Sequence, residues 1–107
     1  MPNLHDTWEK LLTFNRKYFP TWRATKEIYY SNAMAGEVGE ICNAIKHRDG
    51  GGTHKTQLTD NELLEECADV FIYLHMLVEK LGRNDKRFAE VINKKIEKNI
   101  QRMESQK

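Results

Sequence analysis

Two pairs of acidic residues stand at a spacing that could hold one metal ion between two helices. Glu37 and Glu40 are three residues apart, and so are Glu66 and Asp69. Because successive helical residues turn by about 100°, residues at this spacing share one face of a helix. On that count each pair borders the apolar stripe of its own helix. Both pairs are therefore predicted to point toward a packing seam.

Four carboxylates in a seam require compensating positive charge. An unpaired anion that is removed from water is strongly unfavourable, so a cation must face these groups. A hard divalent metal is well suited, because its preferred ligands are oxygens. The alternative is a set of internal salt bridges to basic residues.

Basic and amide side chains interrupt the apolar stripe of the last predicted helix. Lys95 and Asn99 lie within the stripe, and Arg102 lies at its edge. The stripe itself consists of Phe88, Ile92, Ile96 and Met103. In one interpretation Lys95 neutralises an acidic pair and Asn99 satisfies a buried backbone group. In the other, the three side chains bind phosphate, for which lysine offers a point charge and arginine a planar fork of donors. Metal-binding acids opposite phosphate-binding bases are typical of a Mg²⁺-dependent enzyme that acts on nucleotides.

Length and composition limit the function classes. The 107 residues predict one domain, 1–107, and the 17 Lys+Arg nearly cancel the 16 Asp+Glu. Because the net charge is small, neither nucleic acid nor an anionic membrane is expected as a partner on electrostatic grounds. The chain has no stretch of about 18 apolar residues, and its first residues lack the pattern of a secretion signal. The two cysteines have no C-x-x-C spacing, and we expect a reduced cytoplasmic protein. The four histidines show no metal-ligand spacing and are interpreted as surface or packing residues.

The pattern predicts four helices and an all-α fold, an antiparallel four-helix bundle. The first helix opens at a capping-box pattern from Asp6, and Pro20 either ends it or kinks it sharply. The second covers about residues 26–47, and a glycine-rich stretch within 48–60 is interpreted as a flexible loop that could act as a lid. The third runs from the Thr59 capping box to Gly82, and the fourth continues past residue 103.

Three segments together resemble the MazG family of all-α nucleoside triphosphate pyrophosphohydrolases. They are Gly36-Glu37-Val38-Gly39-Glu40, then Glu66-Cys67-Ala68-Asp69-Val70 with Ile72-Tyr73-Leu74, and then Lys95 and Asn99 with Arg102. The resemblance covers a core of roughly residues 26–103. Gly36 stands where the family pattern has a first glutamate. The same G-E-V-G-E string occurs in the branch similar to eukaryotic dCTP pyrophosphatase, so the departure indicates the subfamily.

The resemblance implies a role for each matching residue. Mg²⁺, with Mn²⁺ as a second suitable ion, would be bound by Glu37, Glu40, Glu66 and Asp69. Either Glu37 or Glu40 would act as the catalytic base for water attack at the α-phosphorus. The substrate would be contacted by Lys95, Asn99, Arg102, Tyr73 and Trp22. For Tyr73 and Trp22, simple packing in the core remains the alternative.

The resemblance predicts a nucleotide-pool house-cleaning enzyme with a deoxynucleotide preference, such as dCTP or its modified forms. The alternatives are phosphoribosyl-ATP pyrophosphohydrolase, which shares the fold, and a non-catalytic helical interaction module. A homodimer or homotetramer (dimer of dimers) is also expected, since apolar residues extend beyond one stripe on two helices. These residues are Ile28, Tyr29 and Tyr30 on the second helix and Leu64, Phe71 and Val78 on the third.

Overall fold

A computed structural model describes residues 2–49 and 59–106, which form four α-helices and one short 3₁₀ helix. In chain order these are α1 (Leu4–Tyr18), the 3₁₀ helix (Trp22–Ala24), α2 (Glu27–Asp49), α3 (Asp60–Lys80) and α4 (Asp85–Ser105). The described residues contain no strand, which confirms the all-α prediction. Of the predicted loop, residues 50–58 lie outside the described residues, while α2 continues to Asp49 and α3 begins at Asp60. No described helix has the length and apolar character needed to cross a membrane.

Local hydrogen bonds define the ends of α3 and the start of α4. The Thr59 hydroxyl accepts from the backbone N–H of Glu62 at 3.1 Å, and the Glu62 carboxylate accepts from the Thr59 N–H at 3.0 Å. This reciprocal pair confirms the predicted capping box. Gly82 follows α3 with a φ of 75°, a left-handed conformation that glycine adopts without steric cost. The Asn84 side chain then caps α4.

The start of α1 differs from the prediction. The helix begins at Leu4, and its N-cap is Asn3, whose side-chain oxygen accepts from the Asp6 N–H at 2.8 Å. Asp6 therefore lies in the first turn, where its negative charge interacts favourably with the positive end of the helix dipole. The predicted capping box at Asp6 is wrong because the helix starts three residues earlier, with Asn3 as its N-cap. At the other end, α1 stops at Tyr18, just before Pro20.

The hairpin of α2 and α3 is antiparallel. Glu27, at the start of α2, lies 3.8 Å from the Lys80 ammonium at the end of α3. Farther along α2, Glu37 interacts with Glu66 near the start of α3. Residues later in α2 therefore contact residues earlier in α3. This antiparallel register determines which acidic residues of the two helices lie close together.

Trp8 is the centre of a small core. Its fully buried indole lies 4.4 Å from the His75 ring, 6.0 Å from Phe71 and 6.1 Å from Phe88, measured between ring centroids. It therefore joins α1, α3 and α4. His75 is itself completely buried. It is therefore a packing residue and not a surface residue.

Much apolar surface remains uncovered. Six hydrophobic residues are buried among the described residues, whereas fifteen large ones are exposed. The radius of gyration is 17.1 Å, against about 13 Å expected for a compact chain of this length. Ile28, Tyr29 and Leu64 are exposed and remain available to a partner. For Tyr30, Val78 and Phe71 the prediction of a partner-binding surface is wrong, since the first two are buried within the chain and Phe71 packs against its core.

Candidate active site

The two acidic pairs meet across the α2–α3 interface. One carboxylate oxygen from each of Glu37, Glu40 and Glu66 lies within 4.8 Å of the other two. Asp69 is outside this group of three, but its charge acts on Glu37. The antiparallel register produces this arrangement by placing the middle of α2 beside the first half of α3. We refer to these four residues as the acidic cluster.

Glu37 is the most constrained member of the acidic cluster. Its Oε2 atom is buried and has no hydrogen-bond partner. Burial raises the pKa of Glu37, and the charges of Glu40, Asp69 and Glu66 raise it further. Two ionised carboxylates cannot hydrogen-bond to each other, because each only accepts, so close approach of Glu37 and Glu66 requires a proton or a cation between them. An orphaned carboxylate oxygen that faces other carboxylates fits a hard divalent cation.

No basic side chain compensates the acidic cluster within the described residues. The ion pairs there that involve lysine or arginine are Arg23–Glu79, Lys80–Glu27 and Arg87–Glu90. None of them includes a member of the acidic cluster. The described part of the chain therefore does not support the interpretation in which Lys95 neutralises an acidic pair.

An aromatic pocket of about 350 Å³ lies next to the acidic cluster. Its aromatic walls are formed by Phe14, Phe19, Trp22, Tyr29, Tyr30 and Tyr73. Tyr73 connects the two features: burial raises the pKa of its hydroxyl, and Tyr29, Glu37 and Asp69 raise it further. A flat aromatic group could enter this pocket while a charged extension reaches the carboxylates.

A comparison with protein-family models matches residues 26–106 to the MazG nucleotide pyrophosphohydrolase domain. The match covers most of the chain. The chain belongs to the MazG family. This membership supports nucleoside triphosphate pyrophosphohydrolase activity in general, and the helical MazG-like fold agrees with it. No curated protein and no solved structure gives a significant match.

The remaining predicted substrate residues of this MazG domain lie on α4, away from the acidic cluster on α2 and α3. Lys95, Asn99 and Arg102 are exposed, as is every residue from 90 to 106. The Arg102 guanidinium donates to the Asn99 side-chain oxygen at 3.3 Å. Within the described residues, no hydrogen bond or ion pair joins these three side chains to the acidic cluster. Thus Tyr73 and Trp22 line the pocket beside the cluster, whereas the α4 residues face solvent.

Helical periodicity does not identify several of the residues that line the pocket of the MazG domain. Phe14 and Phe19 line the pocket, and Tyr30 supports it by donating from its hydroxyl to the Trp22 carbonyl at 2.6 Å. The sequence feature that indicates these pocket residues is the high density of aromatic residues between positions 14 and 30. Helical periodicity could not assign them to one surface, because Pro20 and the 3₁₀ helix interrupt the repeat.

Proposed function

We propose that this MazG domain is a Mg²⁺-dependent nucleoside triphosphate pyrophosphohydrolase that converts a (d)NTP into the (d)NMP and pyrophosphate. The observation that carries the proposal is the convergence of Glu37, Glu40 and Glu66 without a basic partner among the described residues. The adjacent aromatic pocket supplies a place for the nucleobase.

The acidic cluster would hold the metal. Glu37, Glu40, Glu66 and Asp69 offer only oxygen ligands, which suit Mg²⁺ and also Mn²⁺. When bound, the ion would supply Lewis-acid polarisation of the phosphate chain. Glu37 or Glu40 would accept, at a carboxylate oxygen, the proton of the water that attacks the α-phosphorus. The bond between the α-phosphorus and the oxygen that bridges it to the β-phosphorus would break, and this oxygen would leave with pyrophosphate.

The aromatic pocket would bind the base. Trp22 and Tyr73 line the pocket, and their rings are the proposed stacking partners of the base. The Gly36–Glu40 string favours the branch similar to dCTP pyrophosphatase, so deoxynucleotides such as dCTP or its modified forms are the proposed substrates. The role would be nucleotide-pool house-cleaning in the cytoplasm, with no nucleic-acid partner.

We propose a homodimer or a dimer of dimers built from a single domain of residues 1–107. The supporting observation is α4, whose apolar residues Ile92, Ile96, Ile100 and Met103 are 39 to 63% exposed. A second copy would cover this stripe. Lys95 and Asn99 lie within the same stripe and Arg102 lies at its edge, so assembly would also bring the basic groups of Lys95 and Arg102 near a site that lacks them.

The decisive experiment is to incubate the purified protein with Mg²⁺ and a panel of ribo- and deoxynucleoside triphosphates. We expect the monophosphate and pyrophosphate in equal amounts. Hydrolysis in heavy-oxygen water should place the label on the monophosphate, because the attack occurs at the α-phosphorus. Release of orthophosphate, or label found in pyrophosphate, would contradict the mechanism.

A matched variant pair separates the acidic cluster from general charge effects. Glu66→Gln changes a cluster member and should abolish turnover, whereas Glu65→Gln changes its exposed neighbour and should not. Equal loss in both variants would argue against a specific role for the cluster.

The same panel tests the two alternatives. Phosphoribosyl-ATP should be included, and its turnover in preference to every deoxynucleotide would identify the related activity. No turnover of any nucleotide would favour an interaction module. That alternative requires the acidic cluster to form salt bridges, and none of the ion pairs among the described residues includes a member of the cluster.

A further inference from the structure

A buried carboxylate lies behind the aromatic pocket. Glu79, on α3, is only 8% exposed. Its Oε2 atom accepts a hydrogen bond from the Trp8 indole N–H at 2.7 Å, and its Oε1 atom accepts one from the Arg23 guanidinium at 3.4 Å. One side chain therefore connects α3 both to the core of α1 and to the 3₁₀ helix.

Arg23 extends this connection to the pocket wall. Its guanidinium carbon lies 4.5 Å from the centroid of the Trp22 ring, a distance at which a cation interacts favourably with an indole. Trp22 is 4% exposed and lines the pocket. The Arg23 side chain is mostly exposed, so its position depends on these two contacts.

Two backbone contacts hold the same segment. The Tyr30 hydroxyl donates to the Trp22 carbonyl at 2.6 Å, and the Lys80 ammonium donates to the Arg23 carbonyl. These bonds fix the main chain of the 3₁₀ helix, but neither contacts the indole. Among the described residues, the Glu79–Arg23 pair positions the guanidinium that lies over the ring.

We propose that Glu79 is a positioning residue for nucleobase binding, acting through Arg23 on Trp22. It holds the guanidinium over the indole and thereby keeps the ring in place before a nucleotide arrives. A preformed ring improves binding because less side-chain freedom is lost on association. The inference rests on the proposed function, since it assumes that the pocket receives a base. It assigns Glu79 and Arg23 an effect on KM and none on the phosphate chemistry.

The two hydrogen bonds of Glu79 can be separated by variants. Arg23→Met removes the guanidinium but keeps a long side chain at a mostly exposed position. Trp8→Phe removes the other donor and leaves Arg23 unchanged. If Glu79 acts through Arg23, Arg23→Met and Glu79→Gln should each raise KM by about three- to ten-fold, with kcat within about two-fold of wild type. Trp8→Phe should lower the melting temperature and leave KM unchanged.

The double variant provides a test of coupling. Arg23→Met combined with Glu79→Gln should raise KM no further than either single change, because both break the same connection. Arg23→Lys should recover only part of the affinity, since an ammonium can pair with Glu79 but lacks the planar guanidinium. An additive increase in the double variant, or an unchanged KM in Arg23→Met, would overturn the proposal.

Nucleotide binding can be measured without turnover, and this tests the positioning role of Glu79 by itself. The chain has two tryptophans, so in the Trp8→Phe background Trp22 is the only one left. Titrating this protein with dCTP in the absence of metal should quench its fluorescence, and adding Arg23→Met should weaken the apparent affinity by the same three- to ten-fold. Quenching with unchanged affinity would overturn the positioning role. Weakened binding in a protein that hydrolyses nothing would support that role and refute only the proposed catalytic function.

Discussion

Glu37 and Glu66 face each other across the α2–α3 interface, and the buried oxygen of Glu37 has no hydrogen-bond partner there. Glu40 and Asp69 add two more negative charges to Glu37's surroundings. Such an arrangement disfavours the metal-free fold and favours any divalent cation that binds to it.

Activity and stability should respond oppositely to neutralisation of the acidic cluster. Glu40→Gln and Asp69→Asn each remove a charge while keeping nearly the same volume. We expect both to abolish turnover and to leave the metal-free protein as stable as wild type or more stable, as measured by thermal unfolding. Mg²⁺ should raise the wild-type melting temperature, because it binds only the folded state, and should have little effect on the variants.

The control is Glu65→Gln, which should retain both turnover and the Mg²⁺ response. If Glu40→Gln and Asp69→Asn instead unfold the protein without metal, the acidic residues are structural ion-pair partners. The interaction-module alternative would then be preferred.

The metal-free protein should lose stability as the pH rises through the range in which Glu37 ionises. The folded state raises the Glu37 pKa above its ordinary value of 4.5, first through burial and then through the charges of Glu40, Asp69 and Glu66. The folded state therefore holds more protons than the unfolded state between the two pKa values, and stability falls with rising pH there. Thermal unfolding across this range, compared with Glu37→Gln, should show the decrease in wild type only. A parallel pH profile in both proteins would contradict this assignment.

The His5–Asp85 contact should stabilise the fold within a limited pH window. The His5 Nδ1 atom lies 2.8 Å from the Asp85 carboxylate, joining α1 to the start of α4. The hydrogen bond and charge of Asp85 raise the His5 pKa above 6.5. Burial by itself would raise the Asp85 pKa, but the contacts with His5 and with backbone N–H groups outweigh it and lower the pKa below 3.8.

The stabilisation should therefore be full between the two ordinary pKa values, 3.8 and 6.5. It should be lost as the pH rises through the raised His5 pKa or falls through the lowered Asp85 pKa. His5→Gln keeps a hydrogen-bond donor but does not titrate, so its unfolding profile should lack the decrease above 6.5. An NMR titration of the His5 ring that gives an ordinary or lowered pKa would refute this prediction.

Trp22→Ala should affect nucleotides unequally. If the indole stacks on a base, its removal raises KM most for the preferred nucleotide, by about ten-fold or more, and changes kcat little. The measurement is KM for each member of the nucleotide panel. Trp22→Phe retains a smaller ring and should show a smaller increase. An equal increase for every nucleotide would exclude Trp22 from base recognition.

The exposed apolar stripe of α4 should be required for oligomerisation. Ile96 is 48% exposed in the single chain. A charge introduced there by Ile96→Glu would be buried in any interface formed by the stripe, so light scattering should show a shift to a smaller species. Glu97→Ala lies away from the stripe and should leave the mass unchanged. A wild-type protein that is monomeric at micromolar concentration would refute the oligomer.

Local sequence determined the helices and their faces. Thr59 with Glu62, and Gly82 after α3, define ends whose hydrogen bonds involve only neighbouring residues, so they could be predicted. The acidic pairs were placed beside an apolar face for the same reason, since helical periodicity relates residues three or four apart. The prediction failed at Asp6 because two nearby residues, Asn3 and Asp6, were both capable of capping the helix.

Only the tertiary structure decided which of these faces meet. The antiparallel register of α2 and α3 sets Glu37 beside Glu66, and it depends on the packing of many side chains along both helices. The contact between Trp8 and Glu79 joins residues 71 positions apart and has no local signature. The exposure of Lys95 likewise could not be predicted, because its helical pattern marks an apolar stripe and does not indicate whether the same chain covers it. Periodicity gives the direction of a side chain about its own helix, whereas the fold supplies the partner.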